Sequence, residues 1–167
     1  MPRAPCPDAR QRLMRHIHNV AQRLTRLPVT GFHALALADN YLAATPVQPK
    51  SSSLRLYACT FVWLSNKFHE EDTIRVAAFV DFAPGYAVLE ERLVVLEARV
   101  LRRLQWRLNV LDAYSAIEVL AENRPVSRDA VQAASRLVLA RYTDRHEVHL
   151  DTRAAAVLSF NTAVEEV

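Results

Sequence analysis

The stretch LRLYACTFVWLSNKF, residues 54–68, decides the fold. Its apolar residues fall on nearly every side of a helix rather than along one stripe, so other helices must enclose the helix they form. Its densest apolar run, Tyr57 to Leu64, is far short of the ~20 residues a membrane span needs. Ser51, Ser52 and Ser53 offer caps just ahead of it, and the helix is predicted to run to about His69.

The flanking sequence supplies the enclosing helices. On the N-terminal side, Asp8 caps a first helix in which Leu13, Ile17, Val20 and Leu24 recur at helical spacing, ending near Pro28. Thr30 starts a second through Leu35, Asp39 and Leu42, and residues 45–50, with Pro46 and Pro49, form a loop. On the C-terminal side a fourth helix is predicted over Asp72 to Phe82, closed by Pro84 and Gly85. A fifth is predicted from about Ala87 to Leu104, with Leu89, Leu93, Leu96, Val100 and Leu104 as its buried stripe. Five helices around a buried third make a compact unit ending near Val110. Beyond it come a connecting helix, Asp112 to Asn123, one capped by Ser127, and a last one capped by Asp151 through Val157 and Phe160.

Composition agrees with an all-α protein. The 167 residues include only 2 glycines, whereas tight hairpins, Rossmann turns and phosphate-cradling loops all lean on glycine. Cys6 and Cys59 stand far apart and in no metal-ligand spacing, which excludes a disulfide or zinc framework and points to a reducing compartment. The N-terminus has no apolar secretory core. Its arginines, Arg3, Arg10, Arg12, Arg15, Arg23 and Arg26, read as one face of a basic first helix, with a transit peptide as the alternative. Residues 1–50 hold seven bases against two acids, so the rest of a chain of net charge +3 carries −2. Such a basic third can attract nucleic acid or an acidic partner face, but its arginines are scattered singly, without interleaved aromatics, which argues against nucleic acid.

No catalytic constellation emerges. His16 and His18 are two apart and diverge on a helix, while His146 and His149 lack a third ligand nearby. Glu70 with Glu71, and Glu90 with Glu91, are adjacent and diverge likewise. A nucleophile elbow and a cysteine with an activating histidine are both absent from the sequence. The expectation is a protein that is not an enzyme and needs no cofactor or metal.

Three segments together resemble the cyclin box, the five-helix module of cyclins. The second helix ends in Ala38-Asp39-Asn40-Tyr41-Leu42-Ala43, similar to that family's Asp-Arg-Phe-Leu-Ser. The third ends in Leu64-Ser65-Asn66-Lys67-Phe68-His69-Glu70, similar to Leu-Ala-Ser-Lys-Phe/Tyr-Glu-Glu. The fifth carries Leu96-Glu97 and leads into Leu104-Gln105-Trp106-Arg107-Leu108, like the closing Leu-x-Phe-x-Leu. Five signature positions are filled in order. Arg10 and Asp39 resemble the buried ion pair between the first two helices, and Leu56 the core leucine of the central helix. Lys67 and Glu97 resemble the two charged residues that bond backbone groups of a partner kinase. Lys67 is specific, because only it and Lys50 are lysines among 21 basic residues.

The resemblance implies an all-α, cyclin-like five-helix box over residues 1–110, then a connecting helix and a partial second box over residues 111–167. There Arg153-Ala154-Ala155-Ala156-Val157 is similar to an Ala-rich helix of a second cyclin box. It implies a regulatory subunit whose partner is the catalytic subunit of a cyclin-dependent protein kinase, in the nucleus or cytoplasm, with no small-molecule substrate and no membrane. The family's apolar contact surface maps onto Leu64, Phe68, Leu101, Trp106 and Leu108, with Trp106 the leading hot-spot candidate and burial in the protein's own core its alternative. The family's substrate-docking patch maps onto Ala9, Arg12, Leu13, His16 and Arg55. Only Leu13 is an apolar residue of useful size there, which argues against Arg-x-Leu docking. Two other readings stay open: a cyclin-fold adaptor or decoy that binds without activating, and a transcription-factor-type box that binds DNA and promoter proteins.

Overall fold

The computed structural model describes residues 7–45, 49–83, 89–123, 126–143 and 152–165. These residues form α-helices joined by short connections and two 3₁₀ turns, with no strand among them. Helix α1 spans Pro7–Leu24, α2 Pro28–Ala44, α3 Leu54–His69, α4 Leu89–Arg103, α5 Ala113–Glu122, α6 Arg128–Thr143 and α7 Thr152–Glu165. The start expected for the last helix at Asp151, the fifth helix's first residues and the Pro84-Gly85 stop lie outside the described residues.

Helix α3 is the enclosed one. Eleven of its residues are buried, from Leu54 to Asn66, and α1, α2 and α4 pack around it. Polar groups on so buried a helix must be satisfied internally: the Thr60 hydroxyl donates to the Leu56 carbonyl at 2.9 Å. Gly31 lies where α1 meets α2, and a Cβ there would stand 3.2 Å from that of Ala21. At that crossing the absent side chain sets the helix spacing.

The expected fourth helix is a correction. Over residues 72–82 only Val76–Phe79 forms a 3₁₀ turn. Asn66 at the end of α3 pins the extended chain that leads into that turn. Its amide donates to the Asp72 carbonyl at 3.3 Å and its carbonyl oxygen accepts from the Ile74 N–H at 2.8 Å. The turn still delivers one fully buried anchor, Phe79.

Helix α5 begins where the sequence placed it, and α6 begins at its predicted cap, Ser127. Asp112, itself buried, accepts from the Ser115 N–H at 3.0 Å, and the Ser127 hydroxyl oxygen accepts from the Ala130 N–H at 3.2 Å. Phe32 of α2 stacks on Tyr114 of α5 with centroids 5.7 Å apart. The Gln11 amide of α1 donates to the Thr143 carbonyl at the end of α6. One apolar cluster therefore runs without interruption from α1 into α7. In α7, Phe160 is buried whereas Val157 faces out. No described helix is long and apolar enough to cross a membrane.

Candidate partner-binding site

Where α3 ends beside α4, Lys67 and Glu97 form an ion pair. One turn back on α3, Trp63 places its ring 4.0 Å from the Lys67 ammonium, a cation–π contact. An ammonium has three donors on a compact charge, and a guanidinium is a flat fork. Lysine can thus hold Glu97, sit over the indole and keep a donor for a further acceptor. The Lys67 side chain is 34% exposed and that of Glu97 16%, so the pair sits at the surface with its carboxylate partly sunk.

Two aromatic side chains near the ends of α3 and α4 are open to solvent. Phe68 is half exposed and Trp106 is 69% exposed, which rejects the alternative of Trp106 as a core residue. Trp106 is held outward by the backbone. Gln105 and Trp106 both take positive φ, 53° and 61°, and the Trp106 N–H closes α4 by donating to the Leu101 carbonyl at 2.9 Å. That is a glycine-type helix stop made without glycine. Leu108 is half-buried. Leu64 and Leu101, expected on the contact surface, are corrections: both are buried in the core.

His33, which no sequence motif singled out, ties this face together. On α2 and 1% exposed, its Nε2 lies 2.7 Å from the Leu108 carbonyl and its Nδ1 3.0 Å from the Ser65 hydroxyl. A carbonyl only accepts, so the proton sits on Nε2, and the Ser65 hydroxyl donates to Nδ1. Phe68 stacks on the same imidazole at 5.0 Å and His69 meets it edge-on at 4.5 Å. One side chain thus fixes the 104–112 segment, the end of α3 and Phe68 against each other. Burial, the leading cause, holds the His33 pKa below its ordinary value. The only sequence signal was a histidine inside the apolar run FHALALA, residues 32–38.

Arg10 and Asp39 meet bidentately, Nε to Oδ1 at 2.7 Å and Nη2 to Oδ2 at 2.8 Å, joining α1 to α2. Leu56 is buried on α3. The surface matched to the substrate-docking patch is polar. Leu13, its one expected apolar grip, is fully buried, and Arg12 donates to the Asp8 carbonyl and the Ser51 hydroxyl, both at 3.2 Å. His16 lies beside Arg12 and Arg55, and its pKa is lowered by burial first and then by those two cations. Cys59 is a free, buried thiol pushed up to about 12 by desolvation; Cys6 lies outside the described residues, as do His146 and His149. No group of three metal-ligating side chains occurs among the described residues.

These features define an all-helical box: one enclosed helix, an ion pair between the first two helices, and a lysine–glutamate pair exposed where the third meets the next long one. Residues 3–109 match the family model of the cyclin N-terminal domain, and the chain belongs to the cyclin family. Its structure is similar to the X-ray structure of a viral cyclin from herpesvirus saimiri. The TM-score is 0.80 at 15% identity, over 98% of this chain and 72% of that one. No curated protein sequence matches significantly. The family and its fold are regulatory rather than catalytic.

Proposed function

We propose that this protein is the regulatory subunit of a cyclin-dependent protein kinase and docks on the kinase αC helix through the end of α3 and the adjoining edge of α4. The observation that carries this reading is the Lys67–Glu97 ion pair, with the exposed ring of Phe68 next to Lys67 in the chain and Trp106 exposed just past the end of α4. Lys67 supplies a donor for a backbone carbonyl, and the carboxylate of Glu97 has lone pairs left for a backbone N–H. Phe68 and Trp106 bury apolar area around the charged contact. The chain contributes no reacting group. It favours the αC position in which the αC glutamate pairs the ATP-binding lysine, and the activation it yields is bounded by its preference for that form.

The test titrates the protein into a panel of monomeric cyclin-dependent kinases and follows phosphorylation of a histone-type substrate. Saturable activation that disappears in the Lys67→Ala, Glu97→Ala double variant is expected. The single Lys67→Ala change should cost about 2–5 kcal/mol of kinase affinity by calorimetry, the range for removing one partner from a buried charged contact. Its melting temperature should hold, because the pair is at the surface. Binding without activation would mark an adaptor or decoy. A chain that binds no kinase but shows steep, salt-dependent DNA binding would overturn the proposal in favour of a promoter-binding box.

A further inference from the structure

A second open surface lies away from the Lys67–Glu97 face. A cavity of about 720 Å³ opens between the end of α2, the start of α3 and the first turns of α4, within the ~300–1,000 Å³ range of pockets that enclose ligands. Its floor is apolar and aromatic. Leu56 and Leu96 line it, and the Tyr41 and Tyr57 rings stand 5.6 Å apart with their hydroxyls 3.2 Å from each other. Val95, 59% exposed, stands at the mouth. The rim is cationic: Lys50, Arg92 and Arg99 face one carboxylate, Glu91. Glu91, Val95 and Arg99 recur every fourth residue and share one stripe of α4. Glu97, two positions from both Val95 and Arg99, is turned from them by about 200°. A partner on one side of α4 leaves the other side open.

From this pairing of an apolar floor with a basic rim, we infer that the groove docks an acidic segment of a partner protein, with an apolar side chain seated on Leu56, Val95 and Leu96 and flanking carboxylates at Lys50 and Arg99. An apolar side chain is what the floor can desolvate, and the rim's surplus of positive charge selects the flanks. Nucleic acid fits less well, because the cations ring an apolar pit rather than run along a track.

The test is fluorescence anisotropy with labelled short peptides carrying a central Leu, Ile, Phe or Tyr between Asp and Glu, between Ser and Gln, or between Lys and Arg. The acidic set should bind at least about tenfold tighter than the neutral set, and added salt should narrow that gap. Lys50→Glu with Arg99→Glu should remove about tenfold or more of the acidic set's affinity. Val95→Asp, aimed at the apolar half, should weaken binding severalfold. All three positions are exposed, so unchanged melting temperatures will show an intact fold. The inference is overturned if no peptide set binds, if acidic and neutral sets bind alike, or if acidic binding survives the charge reversal. A single-stranded oligonucleotide that occupies the groove more tightly than any peptide overturns it as well.

Discussion

The Arg10–Asp39 pair shows how much one residue can hold. The Arg10 side chain is 8% exposed and that of Asp39 33%, so removing the carboxylate strands a nearly buried guanidinium. Breaking a fully buried pair from one side costs ~3–5 kcal/mol; with one partner a third exposed, Asp39→Ala should cost about 2–3 kcal/mol in urea unfolding. A loss below half a kilocalorie would reduce the pair to an ordinary surface contact. The stop after α4 predicts the opposite sign. Gln105 has φ 53°, a conformation that costs a side-chain-bearing residue ~1–2 kcal/mol and glycine almost nothing. Allowing for glycine's freer unfolded chain, Gln105→Gly should stabilise by about 0.5–1 kcal/mol, or roughly 1–4 °C in melting temperature for a chain of this size. A drop in melting temperature would show that Gln105 makes compensating contacts.

At the scale of elements, α2 is capped by a residue far away in sequence. Its N-cap position, Leu27, offers no side-chain acceptor. Glu70, just past α3, fills the place: its carboxylate accepts from the Arg26 N–H at 3.3 Å and from the buried Thr30 hydroxyl at 2.7 Å. A negative group at that end also suits the helix dipole. Glu70→Ala should therefore cost about 1–2 kcal/mol of stability, the scale of a lost N-cap. The neighbouring Arg26–Asp72 pair is three-quarters exposed on both sides and should contribute almost nothing, so Asp72→Ala serves as the control. Equal losses from the two changes would refute the capping role. At the same junction Asn66 bonds the backbone at Asp72 and Ile74, so the end of α3 ties down both the start of α2 and the chain that follows it.

At the scale of the whole molecule, four buried or half-buried histidines among the described residues bear on the response to acid. His16, His18, His33 and His69 all have pKa values lowered from 6.5, with burial the leading cause in each. Below pH ~6.5 the unfolded chain takes up protons that the folded chain refuses. Stability is therefore full above that pH and falls as pH drops toward the folded values, by at most ~1.4 kcal/mol per pH unit per histidine. His33→Gln, which keeps a donor for Leu108, should flatten that decline between pH 6.5 and 5. An unchanged slope would show that His33 takes no part in it.

The enclosed helix, the stripes of α1 and α4 and the cap at Ser127 were legible because each depends on neighbours within one or two turns. So was the pairing of Arg10 with Asp39, through the order of the signature positions. The extent of the 76–79 turn, the Glu70 cap, the hub at His33 and the burial of Leu64 and Leu101 were not. Helical periodicity tells which residues share a face, and sequence alone does not tell which faces a neighbouring element will cover. The sequence by itself determined an all-helical cyclin box and singled out Lys67 and Glu97 on two of its helices; the structure paired them. Only the tertiary structure decided which side chains around that pair remain open to a partner, because exposure is set by packing between segments far apart in the chain.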